Sequence, residues 1–238
     1  MKDVARIAAR LLVEKDVTAS TNDDARALAL EGAPAGSAVL ARRQTRGRGR
    51  AGRAFLSPEG GLYLSVVLRP AMPAERWSLL PLAVGVACAR VLRERGFAAD
   101  VKWPNDLLVG GRKLAGILVE SRPGPQGFAV AGIGMNVATA PMPEATALAE
   151  HGEAPPLRAL AEALAQAFVA QADALALEGP ASTLAQLRPV CVTLGRKVAW
   201  EKGSGVAVDV AEDGALVVEK VDGARERIVA GDVRITQS

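Results

Sequence analysis

Hydrophobic and polar residues along the chain follow two periods, and where the period changes marks the elements. Ser20 with Asp23, or Thr21 with Asp24, fits an N-cap pattern and predicts a helix running to about Leu30 and stopped by Gly32. Ser37–Ala41 predicts a strand, and the β-branched apolar run Leu62–Leu68 predicts a central one. Leu79, Leu82, Val86 and Arg90 recur at helical spacing within a long helix over 75–95. Short strands follow at 100–103, 106–109 and 112–121, with Gly110-Gly111 as the hairpin turn between the last two. Pro123-Gly124-Pro125 turns the chain into a strand over Phe128–Val137. Beyond a Pro/Ala/Glu-rich connection at 138–156, Leu157, Leu160, Leu164, Phe168 and Leu175 trace an amphipathic helix, and a second helix over 180–188 ends at Pro189. From 194 to 238 short strands alternate with glycine turns, the pattern of a small antiparallel barrel or sandwich that is marginal alone and must dock on the main body.

Composition sharpens this outline. Half of the 238 residues are hydrophobic and 23% are charged, so a core can form and the composition argues against disorder. Aromatics are 3%, which leaves few rings to stack on bases and argues against a single-strand nucleic-acid binder. The net charge of +3 hides an uneven distribution: residues 42–53 carry six arginines and no acid, and the remainder is 3 − 6 = −3. Gly47, Gly49 and Gly52 let the backbone of this basic loop approach a ligand closely, and the loop is expected to be mobile when empty. Cys88 and Cys191 have no CxxC partner, which excludes a disulfide scaffold and a cysteine zinc site. A single histidine, His151, argues against a histidine metal cluster or a histidine-dependent triad. No uncharged apolar run reaches membrane-spanning length, and the first residues lack a signal-peptide core, so a soluble cytoplasmic protein with no membrane partner is expected.

Four clusters could carry chemistry. The Gly/Arg loop can surround a phosphate with backbone N–H groups and guanidinium forks, or bind nucleic acid, or simply be solvated; its spacing is neither a Walker A loop nor a dinucleotide fingerprint. Lys102-Trp103-Pro104-Asn105-Asp106 breaks a strand at proline and presents polar groups there, or forms an ordinary turn. Lys113, in an otherwise small and apolar strand, needs an anion if buried, or points to water from an edge. Gly132 and Gly134 alternate in a strand, as they would beneath a ligand, another backbone or tight packing; Asn136 beside them offers an amide able to read a base edge.

Taken together, Ser20-Thr21-Asn22, the run 44–50 (QTRGRGR), Gly61-Leu62-Tyr63-Leu64-Ser65, Lys102–Asp106, Lys113–Leu118 and Gly132–Val137 resemble, in collinear order over about 20–137, the biotin protein ligases. The resemblance implies an α+β fold: a mixed β-sheet flanked by helices, the class II synthetase-like catalytic domain (residues 1–189), plus a small C-terminal SH3-like β-barrel (190–238). It implies that biotin and ATP, with Mg²⁺, form biotinyl-5′-AMP and that a lysine of a biotin carboxyl carrier protein or domain of a biotin-dependent carboxylase then takes the biotin. By the same resemblance Ser20, Thr21, Asn22 and Gln44 line the biotin end; Gly47, Arg48, Gly49 and Arg50 close over carboxylate and phosphate; Lys113 contacts them, and Gly116 leaves room for the biotin tail. Asn105 and Asn136 face the nucleotide, Phe55 stands where many members carry tryptophan, and Asp106 guides the incoming amine or helps hold Mg²⁺. Arg48, Arg50, Lys113 and Asp106 are thus the expected catalytic set. Arg46 departs from the alanine common in the family. Residues 1–19 are too short for the winged helix-turn-helix of repressor-type members, so no operator-binding role or specific nucleic acid is expected; a homodimer is left open. A lipoate or octanoyl ligase of the same fold is the nearest alternative, and a nucleic-acid module using the arginine loop the more distant one.

Overall fold

Residues 3–7 and 10–236 are described by the structure, a computed structural model. Two strands open the chain, β1 (Asp3–Ile7) and β2 (Arg10–Thr18), in a segment for which the sequence pattern predicted no element. Helix α1 (Thr21–Leu30) then leads to β3 (Ala38–Gln44), which pairs parallel to β2. All other ladders in this sheet are antiparallel: β4 (Gly61–Leu68), β5 (Ala99–Lys102), β6 (Asp106–Val109), β7 (Arg112–Arg122) and β8 (Phe128–Asn136) complete an eight-stranded mixed sheet in the order β1-β2-β3-β4-β8-β7-β6-β5. Every residue of β4 is buried, because helices cover both of its faces; this is why its sequence reads as an unbroken apolar run rather than an alternation.

The two faces carry different loads. On one, α2 (Leu80–Arg93), α3 (Leu157–Glu178) and α4 (Pro180–Leu187) close the main core around Leu64, Val66, Leu82, Val86, Leu164 and Phe168. On the other, α1 covers a small cluster of Val13, Ala25, Ala29, Val39, Val67, Phe128 and Val130, and leaves β7 and the end of β8 uncovered. The helix predicted over 75–95 divides: residues 74–79 are 3-10, and the α-helix begins at Leu80. Pro81 is the cause, since it has no N–H to donate to the carbonyl of Trp77 and is tolerated only in the first turn. Helix α3 is long and apolar enough by length and composition to cross a membrane, but half of its most apolar window is buried within the fold against α2 and α4.

The C-terminal strands β9 (Lys197–Trp200), β10 (Gly203–Val210), β11 (Leu216–Glu219), β12 (Arg225–Ile228) and β13 (Arg234–Ile235) form an antiparallel sheet in the order β12-β11-β10-β9-β13. Among the described residues no ladder joins β12 to β13, the two edges of this sheet. It shares its apolar core with the main body: Val198, Val210, Leu216 and Val218 belong to the same cluster as Leu79 and Leu82. Trp103 is the polar fastener. Its backbone N–H donates to Thr193 Oγ1 at 2.9 Å and its indole N–H to the Gly214 carbonyl at 2.9 Å, both buried.

Replacing Trp103 with phenylalanine keeps an aromatic ring but leaves the Gly214 carbonyl without a donor. A loss of about 1–3 kcal/mol is expected, read as a lower urea midpoint with unchanged slope; an unshifted midpoint would show that the indole bond does not fasten the two sheets.

Candidate active site

The uncovered part of the sheet is the floor of a groove of about 400 Å³, within the size range of ligand sites. In the β7–β8 ladder Gly116 faces Gly134 and Leu118 faces Gly132, so three glycines lie side by side. What rests on them is protein. A methyl group at Gly132 would overlap Asn22 Oδ1, and one at Gly134 would overlap the Phe55 ring, which also lies 3.2 Å from where a Gly116 methyl would stand. Of the readings the alternating glycines allow, the structure shows close packing: Gly132 seats Asn22, and Gly134 with Gly116 seats Phe55.

The start of α1 supplies the polar end. The predicted Ser20 cap bond is not made. Instead the Thr21 N–H donates to Gln44 Oε1 at 2.8 Å, the Ser65 hydroxyl lies 2.6 Å from Asn22 Oδ1, and Asn22 Nδ2 donates to Glu120 at 2.7 Å. The two acids read as first-turn helix residues are tertiary fasteners: Asp24 accepts from Thr18 at 2.6 Å and pairs with Lys15 at 2.7 Å, while Asp23 pairs with Arg26 and Arg48.

The Gly/Arg loop has a defined path. It is stitched to the end of β2 by Thr45 N–H and Arg46 N–H donating to the Thr18 and Ala19 carbonyls, and it turns back on itself through Gly49 N–H to Arg53 O and Phe55 N–H to Gly47 O. Ala51 sits in the left-handed region at φ 53°, a conformation that costs a non-glycine residue roughly 1–2 kcal/mol. Gly47 is required because a side chain there would overlap the Phe55 carbonyl.

Three cations of the groove are locally neutralised. Arg48 is gripped in a two-pronged pair by Asp23 at 2.8 and 2.9 Å, with Glu120 at 3.3 Å behind it. This pairing holds the Asp23 carboxyl below its ordinary range and raises Arg48. Lys113 pairs with Asp106 at 2.7 Å, and Arg53 with Asp232 at 2.7 Å. Asp106 is thus the anion beside the partly exposed Lys113, and the Arg48 fork faces two carboxylates. Arg50, Lys102 and Arg234 line the groove with no carboxylate at ion-pair distance among the described residues. Burial lowers Arg50 from its usual value, and it stays charged at neutral pH; its guanidinium donates to Asn105 Oδ1 at 3.2 Å.

Of the residues singled out in the sequence, Ser20, Thr21, Asn22, Gln44, Arg48, Gly49, Arg50, Phe55, Asn105, Asp106, Lys113 and Gly116 line this one groove. Gly47 and Asn136 do not; Asn136 is buried and its amide donates to the Thr146 carbonyl at 3.0 Å. Lys102 lay in a quoted motif without a role. Asp232 and Arg234 arrive from the far end of the chain, and no local signal marks them. Among the described residues no three His, Cys, Asp or Glu side chains gather as a metal site, and the groove's two acids, Asp106 and Asp232, are both ion-paired. This donor set does not fit a resident metal ion.

Comparison with known proteins places the chain in a family. The Biotin/lipoate A/B protein ligase family model matches residues 15–136, and the Biotin protein ligase C terminal domain model matches residues 188–235. The chain is 36% identical over 234 residues to the biotin--[acetyl-CoA-carboxylase] ligase of Mycobacterium tuberculosis, covering 91% of this chain and 85% of the relative. It is 41% identical over 130 residues to a bifunctional ligase/repressor of Bacillus subtilis; there the match takes in 53% of this chain and spans only 40% of the relative's length. A solved structure, a biotin protein ligase from Aquifex aeolicus in complex with biotin and ATP, superposes with a TM-score of 0.80 at 27% identity, covering 95% of this chain and 99% of that one.

Two measurements test the floor and its support. Gly132→Ala should cost roughly 1–3 kcal/mol, because Asn22 is pinned on three sides and cannot yield; a wild-type denaturation midpoint would contradict this. Tyr63, the only tyrosine in the chain, donates to the Pro58 carbonyl at 2.7 Å, and burial pushes its phenol up to about 12 from 10.0. The neutral phenol therefore stabilises the fold fully below pH 10.0, and this contribution is lost as pH rises through about 12. Ultraviolet titration of the folded protein should show phenolate appearing near 12; ionisation near 10.0 would mean the ring is not held as described.

Proposed function

The chain belongs to the biotin/lipoate A/B protein ligase family, and we propose that it performs the biotin chemistry of that family, attaching biotin to a carrier-protein lysine at the expense of ATP. One observation carries the reading. A single groove joins a neutral, hydrogen-bonding end at Ser20, Thr21 and Gln44 to a cationic end at Arg50, Lys102 and Arg234, with the Lys113–Asp106 pair also on its wall. The first end suits a ureido ring and the second a triphosphate. A lipoyl dithiolane would leave the polar end unpaired, which disfavours the lipoate alternative.

In the first step a biotin carboxylate oxygen forms a bond to the α-phosphorus of ATP as the bond to pyrophosphate breaks. No protein nucleophile is needed; the residues position the reactants and stabilise developing charge. Arg50 and Lys113 serve the transferring phosphate, Arg234 and Lys102 the departing pyrophosphate, and Asn105 orients Arg50. Arg48 acts chiefly as the loop's anchor, since its fork is held by Asp23 and Glu120. Mg²⁺ enters with the nucleotide as part of the substrate. Phe55, seated on Gly134 and Gly116, offers the adenylate a ring face. In the second step a carrier lysine amine attacks the acyl carbon, the bond to AMP breaks, and Asp106 receives or guides the amine proton. The closed loop keeps water from the anhydride.

Residues 1–189 form the catalytic unit and 190–238 the C-terminal unit in this reading, and the protein acts in the cytoplasm on the carrier domain of a biotin-dependent carboxylase. It assigns no specific nucleic acid, because Arg48 and Arg53 of the basic loop are committed to carboxylates within the chain.

Incubation with labelled biotin, ATP and a carrier domain should transfer label to the carrier, and labelled lipoate should not. Lys113→Ala should fold normally and form adenylate roughly 10²–10³-fold more slowly. Labelling by lipoate alone would overturn the function, and wild-type pyrophosphate release in the folded variant would remove Lys113 from it.

A further inference from the structure

Lys113 and Gly116 stand three residues apart on β7, yet both line the groove. The Lys113 ammonium lies 3.7 Å from where a Gly116 methyl would stand, and it pairs with Asp106, the residue facing Gly116 across the β6–β7 ladder. A regular strand sends residues three apart to opposite faces. Here Leu107 faces Ala115 and Leu108 faces Lys113, so Leu114 has no partner on β6 and forms a one-residue bulge. Leu114 and Ala115, neighbours in sequence, are therefore both buried in the main core, and Lys113 is returned to the groove face. Without the bulge the same sequence would put Leu114 over the groove and Lys113 into apolar surroundings.

The β7–β8 ladder cannot hold this register, because it stops at Ala115 and Met135, just short of the bulge. Beyond it a strap, residues 145–150, takes the place of β8. Ala145 pairs parallel to Lys113, and the Thr146 N–H donates to the Lys113 carbonyl at 2.9 Å. The sheet clasps the strap through Arg112 and Asn136. Arg112 reaches the Ala145 carbonyl at 3.1 Å and the Glu150 carboxylate, but this clasp is exposed and worth little. The Asn136 amide donates to the Thr146 carbonyl at 3.0 Å with both residues buried, so loss of the donor leaves a buried carbonyl unpaired. Further along, Ala149 N–H donates to the Val137 carbonyl at 3.0 Å, which anchors the end of the strap away from Lys113.

We propose that Asn136 is a positioning residue for Lys113: by clasping the strap at Thr146 it holds the bulge that keeps the ammonium over the groove. The inference rests on the reading above that gives Lys113 the transferring phosphate. Asn136 does not line the groove, so its effect on the chemistry passes through Lys113. Without its amide, Thr146 loosens from the Lys113 carbonyl and the bulge is free to shift along β7, although every residue lining the groove is unchanged.

Single-turnover adenylate formation from biotin and ATP, measured as a double-mutant cycle of Asn136→Ala and Lys113→Ala, tests this. Asn136→Ala alone should slow the step about tenfold, the equivalent of one hydrogen bond, while calorimetric affinities for ATP and biotin hold. In the Lys113→Ala background the same substitution should change the rate by less than about twofold, because the side chain it positions is gone. General loosening of the fold would slow both backgrounds alike. Equal effects in the two backgrounds, or a loss of ATP affinity that persists without Lys113, would overturn the proposal. Should Asn136→Ala fold poorly, Asn136→Asp keeps the shape and withdraws the donor; it should show the same dependence on Lys113, and equal effects in both backgrounds would overturn the proposal there too. In the ligand-free protein the Thr146 amide should be protected from hydrogen exchange, and Asn136→Ala should speed its exchange about tenfold while the Ile117 amide, bonded to the Asn105 carbonyl, is unchanged. A Thr146 amide unprotected in the wild type, or equally protected in the variant, defeats the strap whatever the ligand. An Asn136-dependent Thr146 amide in a wild type that forms no adenylate would instead count against the function.

Discussion

The groove depends on how closely the start of α1 can approach the sheet. Gly132 permits that approach, and no residue with a Cβ would. With Asn22 resting against bare backbone, one amide reaches Ser65, the Leu118 carbonyl and Glu120 together. Withdraw it by the depth of a methyl group and the hydrogen bonds of the polar end lengthen as a set, because each is made to an atom that itself depends on the next. The same principle recurs one register step along, where Gly134 and Gly116 let the Phe55 ring rest against the floor.

Charge gives the groove its second property. A loop with six arginines would repel itself if left alone, and the rest of the chain supplies acids from four separate places: Asp16 in β2, Asp23 in α1, Glu120 in β7 and Asp232 before β13. Each pair is partly exposed and individually worth little. Their combined effect is selective neutralisation, which anchors Arg48 and Arg53 and leaves Arg50, Lys102 and Arg234 without a carboxylate at ion-pair distance among the described residues, beside Lys113 with its single partner Asp106. The mildly acidic remainder of the chain is thus the source of the loop's partners rather than a uniform background.

The C-terminal sheet is more than an appendage. It shares core residues with the main body, is tied by Trp103, and contributes Asp232 and Arg234 to the groove wall. A unit of this size is marginal alone, and continuity with a larger core stabilises it. The same contact brings the two ends of the chain's chemistry together: Arg53 in the loop meets an acid 179 residues away.

Much of this was legible in order along the chain. A cap pattern and a glycine stop mark α1, an apolar β-branched run marks β4, helical spacing marks α3 and a glycine pair marks the turn at Gly110-Gly111, because capping, burial pattern and glycine conformation are properties of short segments. Arg50 and Lys113 are marked by their charge in glycine-rich or apolar surroundings, whereas Gln44 is marked only by the resemblance to the family. The opening strands carry no such signal, since Glu14, Lys15 and Asp16 interrupt the apolar residues of β2, and the helix predicted over 75–95 becomes α-helical only at Leu80, with Pro81 in its first turn. What the sequence could not contain was pairing across distance. That Asn136 is turned to Thr146, that Arg48 is occupied by Asp23 and Glu120, that Phe55 fills the glycine floor and that Arg234 joins the wall are decided only when eight strands stack in register. Hydrogen bonds and ion pairs act over a few ångströms of space, and only the tertiary fold turns separation in sequence into contact.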